Sequence, residues 1–303
     1  MLRPKSFKQL PLRKMLSRAQ IAAAYEAACK AEIDALKPGN VHRFADGHGM
    51  TADHFLESAR LTAPIIADSS VKPGRRILEA VRVTREKVGT NTNLGIILLC
   101  VPLAWAAEMR ESAPNLQQRA ANVLETMDME DTAAIFQAIL LASPGGLGSA
   151  PEHDVHEAPR VTIMDAMATA ADRDMIARQY VSGFRDIFQT GMAALEAARG
   201  AGEIGMWPTV FAYLALLSSF DDSHIMRKHG VAAARRVRDD AAKLSAQLSM
   251  PMTEAERIDT LLSVDRMWKA EDLNPGTTAD MTVAAYFASE LMRLEGPIPE
   301  ALS

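Results

Sequence analysis

Residues 89–107 read Gly89-Thr90-Asn91-Thr92-Asn93-Leu94-Gly95-Ile96-Ile97-Leu98-Leu99-Cys100-Val101-Pro102-Leu103-Ala104-Trp105-Ala106-Ala107, a polar island between two glycines that opens the most apolar run in the chain. The run does not alternate apolar and polar side chains as a half-buried strand would. From Ile96 to Ala107, interrupted only by Pro102, it reads as a buried helix. It is shorter than the ~20 residues needed to span a bilayer. Thr92 or Asn93 is a good N-cap for it. A cap needs one such residue, whereas here four stand together. A helix N-terminus with spare donors suits an anion, through the dipole and the unpaired N–H groups. The Gly-Lys-Ser/Thr ending and preceding strand of a P-loop are absent.

The same helical grammar extends in both directions. Ser17 caps a helix through Ile21, Tyr25, Ala28, Ile33 and Leu36, which Pro38-Gly39 stops. Thr51 starts another, with Phe55, Leu56, Ala59 and Ile66 at helical spacing. Further helices are predicted near 73–88, 93–112, 116–127, 130–142, 162–170, 172–200, 206–220, 231–249, 254–270 and 277–294. Ala, Leu, Met, Arg and Glu fill these segments and favour helix. The fold is therefore expected to be all-α, a compact multi-helix bundle with its site built from loops at helix ends. Residues 17–303 are read as one domain and residues 1–16 as a basic arm, since Arg3, Lys5, Lys8, Arg13, Lys14 and Arg18 precede the first acid, Glu26. No apolar signal core follows those first charges.

Composition narrows the function classes. Of 303 residues 48% are hydrophobic and 23% charged, as in a globular protein. A net charge of -5 and an aromatic content of 5% speak against nucleic-acid binding and against a base-stacking platform. Cys29 and Cys100 cannot form a zinc site alone, and their apolar helical settings point to reduced thiols in a cytoplasmic protein. The 17 methionines fall mostly at apolar helical positions, where Met fills space. A homodimer is the base-rate expectation for such a chain.

Five further polar stretches interrupt the helices. Lys37-Pro38-Gly39-Asn40-Val41-His42 reads as a helix stop or as a ligand-facing loop, and Asp46-Gly47-His48-Gly49-Met50 continues it with a turn signal. His42 and His48 lack the helical pairing of a metal site and read as surface or internally satisfied histidines. Ser143-Pro144-Gly145-Gly146 leads into Glu152, His153, Asp154 and His156, a possible ligand group that reads better as a lid. Asp221–Gly230 has acids early and bases late, as a solvated helix should. In its functional reading Asp222 holds Mg²⁺ or polarises a hydroxyl, while Arg227 and Lys228 meet phosphate. Composition favours the first. Asn274-Pro275-Gly276-Thr277-Thr278-Ala279-Asp280 again joins a loop to a helix start.

In this order the islands resemble the triphosphoribosyl-dephospho-CoA synthase family. That family carries Pro-Lys-Pro-Gly-Leu-Val-Asp, Gly-x-His-x-Asp-Met, Gly-Val-Asn-Thr-His-Lys-Gly, Asp-(Ser/Thr)…Arg-x-x-Gly and Ser-Pro-Gly-Gly-Ser-Ala-Asp. The counterparts are Lys37–Val41, Gly47–Met50, Gly89–Gly95, Asp222–Gly230 and Asn274–Asp280, so the resemblance covers about residues 20–295. Two departures stand out: Asn93-Leu94 replaces the family's His-Lys, and His42 replaces its Asp. The Lys-Pro-Gly-Asn-Val-His wording resembles a divergent branch of archaeal and methylotroph members.

The resemblance implies an all-helical cytoplasmic transferase that displaces adenine from C1′ of ATP with a hydroxyl of dephospho-CoA. ATP would serve as substrate with Mg²⁺, and the partner is a small coenzyme precursor, with no nucleic acid and no membrane. It implies Lys37, Gly39, Asn40, Asn91, Thr92, Asn93 and Gly95 at the nucleotide and Arg227 on phosphate. Asp222 and Asp280 would be the carboxylates for metal or for developing positive charge, with Glu32 a third catalytic acid. Two other functions stay open. One is a nucleotide- or phosphate-using enzyme making a methanopterin- or methanofuran-type one-carbon carrier. The other is a catalytically silent helical binding protein.

Overall fold

The computed structural model describes residues 15–109, 115–142, 155 and 158–296. Fourteen α-helices and one π-helical stretch occur there, without a β-strand among the described residues. The basic arm up to residue 14 and the 143–154 and 156–157 parts of the expected lid, His153 and His156 included, lie outside the described residues.

The first half comprises α1 (Arg18–Asp34), α2 (Ala52–Ile66), α3 (Pro73–Lys87), α4 (Leu94–Glu108), α5 (Leu116–Thr126), α6 (Met129–Ala142), α7 (Ile163–Ala170) and α8 (Met175–Ser182). A π-helical stretch, Ile187–Met192, leads into α9 (Ala193–Gly200), followed by α10 (Trp207–Ser219), α11 (Ser223–His229), α12 (Val231–Leu248), α13 (Glu254–Ala270) and α14 (Gly276–Glu295). Ser17 starts α1 as expected: its Oγ accepts from Gln20 N at 3.2 Å, and Gln20 Oε1 accepts from Ser17 N at 3.0 Å.

Helix α4 is buried nearly all round, the state expected of a helix without a polar face. It continues through Pro102, which cannot donate to the carbonyl of Leu98 four residues earlier. Tyr180 supplies the missing donor, its hydroxyl bonding Leu98 O at 2.9 Å. The helix expected over 172–200 is instead three pieces. Asp174 caps α8 by accepting from Ile176 N at 2.9 Å and Ala177 N at 3.0 Å, and α8 ends where Gly183 and Phe184 both adopt φ of 60°. Phe184 holds this unfavourable backbone because its ring is fully buried and its N–H bonds Gln179 O at 2.8 Å.

Two apolar clusters form the interior. The larger gathers residues of α1 to α8, the π-helical stretch and most of α14; the smaller gathers α10, α12, α13 and Leu36. Helix α14 belongs to both, with Ala279 in the smaller cluster and Met281, Val283 and Phe287 in the larger. Its N-terminus therefore opens on the seam between them, against α1, α4 and α11. No described helix is long and apolar enough to cross a membrane.

Candidate functional site

At that seam lies a cavity of about 860 Å³. Its polar wall is assembled from distant segments: Glu32 of α1, Asn40 in the following loop, Asn91–Gly95 at the start of α4, Arg227 and Lys228 of α11, and Asn274 to Asp280 at the start of α14. Of the residues singled out in the sequence, Glu32, Asn40, Asn91, Thr92, Asn93, Gly95, Arg227 and Asp280 line this one space. Lys37, Gly39 and Asp222 do not; they stand behind its wall.

Lys37 is 0% exposed and Glu32 2%. The Lys37 ammonium ion-pairs with Glu32 and donates to Asn40 Oδ1 and Val41 O, both at 2.8 Å. Its three protons are thus committed inside the protein, which turns an expected nucleotide contact into a brace between α1 and the loop. Burial raises the Glu32 pKa and lowers that of Lys37, and in each case their mutual attraction opposes the shift. Gly39 has φ of +81°, and a Cβ there would meet Leu273 O at 2.8 Å and Pro275 Cδ at 2.9 Å. Its N–H donates to Asp265 Oδ1 at 2.9 Å and its carbonyl accepts from His48 Nε2 at 2.8 Å. Glycine is required there by the loop's packing against α13 and the approach to α14, rather than by a ligand.

Asn40 turns its Nδ2 to Asn274 Oδ1 at 2.8 Å, joining the first island to the last. His42, where the family has Asp, is fully buried with Nε2 3.2 Å from Asp265 Oδ1, although off the hydrogen-bond line. Burial lowers its pKa, with Asp265 opposing. Lys269 completes this layer, reaching Asp265 Oδ2 at 3.1 Å and Ala45 O at 3.0 Å. Asp265 and Lys269, one helical turn apart on α13, hold the loop that carries Asn40. Neither stood out in the sequence, because both lie in an ordinary charged helix pattern.

At the opposite wall, Thr92 shares a 2.5 Å hydrogen bond with Ser58 of α2, and Asn91 Oδ1 accepts from Leu94 N at 3.1 Å. Asn93 is the N-cap residue of α4, but its side chain makes no cap bond. Gly95 follows in the first turn. A Cβ on Gly95 would lie 2.2 Å from Asp280 Oδ2 and 2.7 Å from Asp280 Cγ, so the Asp280 carboxyl rests directly on the α4 backbone. Burial drives the Asp280 pKa well above the usual carboxylate range. Glu32 and Asp222 reinforce the rise, while Arg227 and Lys37 oppose it.

Asp222 is fully buried, and both its oxygens are engaged. Oδ1 accepts from His224 N at 2.9 Å and Ile225 N at 3.1 Å, capping α11; Oδ2 accepts from Thr278 N and Thr278 Oγ1, both at 2.7 Å, fixing the start of α14. Four donors saturate the four lone-pair directions of a carboxylate. Among the described residues no three His, Cys, Asp or Glu side chains converge as a metal-binding group. A resident Mg²⁺ held by Asp222 and Asp280, as expected from the sequence, does not fit this donor set. Arg227 donates Nη1 to Asp174 Oδ2 at 2.7 Å while its Nε is buried without a partner. Burial and the nearby Arg227 and Lys228 push the His224 pKa down to about 4, so its imidazole is neutral near pH 7. Asn274, His224, Arg173 and Asp174 also line the cavity. The first two lay inside the quoted islands without being chosen. The other pair was hidden by reading 172–200 as one helix.

The family described as CitG, ATP:dephospho-CoA triphosphoribosyl transferase, matches residues 18–298. The chain belongs to this family. The transferase is 26% identical over 292 residues to proteins of two Vibrio cholerae serotype O1 strains, M66-2 and ATCC 39315 / El Tor Inaba N16961. Each is named a probable 2-(5''-triphosphoribosyl)-3'-dephosphocoenzyme-A synthase, and each alignment covers 85% of this chain and 83% of the relative. A crystal structure from Archaeoglobus fulgidus, assigned as a triphosphoribosyl-dephospho-coA synthase, superposes with a TM-score of 0.59 at 25% identity. It covers 80% of the transferase and 99% of its own chain.

Proposed function

We propose that this transferase displaces adenine from C1′ of ATP with an acceptor hydroxyl, dephospho-CoA being the acceptor in its family. The observation that carries this reading is the carboxyl of Asp280, lying on the first turn of α4 in the same cavity as Glu32, Asn91 and Arg227. Substitution at an anomeric carbon needs a proton donor for the leaving group, an acceptor for the hydroxyl proton, and negative charge beside an oxocarbenium-like carbon. Two carboxyls in unlike environments divide such work. Burial raises the Asp280 pKa, with no ion-pair partner beside it among the described residues and Glu32 and Asp222 adding to the rise. Asp280 is the proposed acid, protonating adenine as the C–N bond breaks. Glu32, paired with the Lys37 ammonium, keeps its charge more readily and is the proposed base that takes the proton of the attacking hydroxyl. Adenine leaves neutral, the acceptor loses one proton, and the triphosphoribosyl group is carried over intact.

Arg227 and Lys228 supply the positive side of the cavity for the triphosphate. Mg²⁺ enters this reading with the triphosphate, as part of the substrate. Asp222, Lys37 and Gly39 act as positioning residues. The test is to incubate the purified protein with ATP, Mg²⁺ and dephospho-CoA and to follow free adenine by chromatography. Adenine release that requires dephospho-CoA is the expected result. ATP binding without release would redirect the search to another acceptor, such as a precursor of a methanopterin- or methanofuran-type carrier. Neither binding nor release would overturn the reading in favour of a silent binding protein.

A further inference from the structure

Resting on that reading and extending it, we infer that Asn93 is the residue that recognises the adenine ring, donating from Nδ2 to N7 and accepting the exocyclic N6–H at Oδ1. Asn93 lines the cavity, is 4% exposed, and its Nδ2 has no hydrogen-bond partner. A buried amide donor without a partner is costly, and at a cavity lining the partner that would offset this cost can come from the cavity. The backbone gives a further reason. Asn93 is the N-cap residue of a 15-residue helix, a position where Asn normally turns its side chain back to cap the helix, yet here it makes no cap bond. Asn91 Oδ1 instead accepts from Leu94 N, the first N–H of the helix, and the amide nitrogen of Asn93 at the cavity lining stays uncommitted.

The chemistry of the amide selects the ligand. An Asn side chain presents one donor and one acceptor side by side, the complement of the N7 and N6–H₂ edge of adenine. Guanine presents two acceptors on the same edge, so one of them would face Oδ1. The other unpartnered cavity atoms match adenine less well. Arg227 Nε belongs to a cation already tied to Asp174, and His224 Nε2 offers a single point. Position also agrees. Asn93 is two residues before Gly95, on which the Asp280 carboxyl rests, and all three line the same cavity.

The test compares ATP, 7-deaza-ATP and GTP as ligands by calorimetry, for the wild-type protein and for Asn93→Ala and Asn93→Ser. The wild type is expected to bind 7-deaza-ATP and GTP about tenfold more weakly than ATP, in line with loss of one good base contact. Both variants are expected to lose about tenfold on ATP while binding ATP and 7-deaza-ATP equally. Because the side chain makes no bond in the free protein, both variants should melt within a few degrees of wild type. Equal binding of ATP and 7-deaza-ATP by the wild type would overturn the inference without using any variant, as would a preference for N7 that survives in Asn93→Ala. Absence of ATP binding altogether would overturn the proposed function itself, a different outcome from ATP binding that ignores N7.

Discussion

Gly95→Ala separates the cost of folding from the cost of chemistry. A Cβ on Gly95 would stand 2.2 Å from Asp280 Oδ2, 2.7 Å from Cγ and 3.2 Å from Cβ. Ordinary contact requires more than 3.4 Å, so the carboxyl must retreat by roughly 1 Å, the end of a side chain rather than backbone giving way. Ala in place of Gly inside a helix contributes about 1 kcal/mol of stability, and displacing a packed group costs about 1–3 kcal/mol. The two nearly offset, so the melting temperature should move by only a few degrees. The chemistry should suffer far more, because a misplacement of about 1 Å costs on the order of a hundredfold in rate. The assay is adenine release under single-turnover conditions, alongside the Kd for ATP. The expected result is a loss of about a hundredfold in rate with the Kd changed less than tenfold. In an Asp280→Ala background the same Gly95→Ala change should add no further loss, since the group it displaces is gone. A Gly95→Ala protein that turns over at the wild-type rate would refute the assignment of Asp280 to the reaction.

Asp280→Asn should abolish turnover yet stabilise the fold. Asp280 has its pKa raised by burial, so the native state binds more protons than the unfolded chain between the unfolded and folded pKa values, and stability falls as pH rises through that window. The neutral amide removes the penalty, and the gain in melting temperature should therefore be larger at pH 8 than at pH 4; the opposite trend would contradict a buried protonated acid. Lys37→Met leaves the Glu32 charge buried and unpaired, at an expected cost of about 3–5 kcal/mol in urea denaturation. Much of that should be recovered in Lys37→Met/Glu32→Leu. Asp222→Asn turns an amide N–H toward donors at the starts of α11 and α14, for a loss of about 3 kcal/mol. The Mg²⁺ dependence of ATP affinity should stay unchanged in it; a selective loss of that dependence would make Asp222 a metal ligand after all.

The sequence by itself determined the all-helical pattern and the islands between the helices, apart from the division of 172–200 into three pieces. Ser17 and Thr51 precede helices because their side chains and backbone geometry suit a helix start, and Pro38-Gly39 stops α1 for equally local reasons. The apolar run after Asn93 had to be buried, whatever packed against it. The order of the islands was enough to show the family resemblance. What only the tertiary structure decided is which side of the cavity wall each island residue occupies. Lys37 and Asn40 are three residues apart in one loop, yet Lys37 is sealed behind the wall by Glu32 and Val41, whereas Asn40 faces inward beside Asn274. Asp222 and Asp280 look alike in sequence, and the fold makes one a saturated cap and leaves the other facing the cavity. Local rules follow neighbours within a few residues along the chain. The direction of a side chain here depends on α13 and α14 packing against a loop more than two hundred residues earlier, and only the assembled interior supplies those contacts.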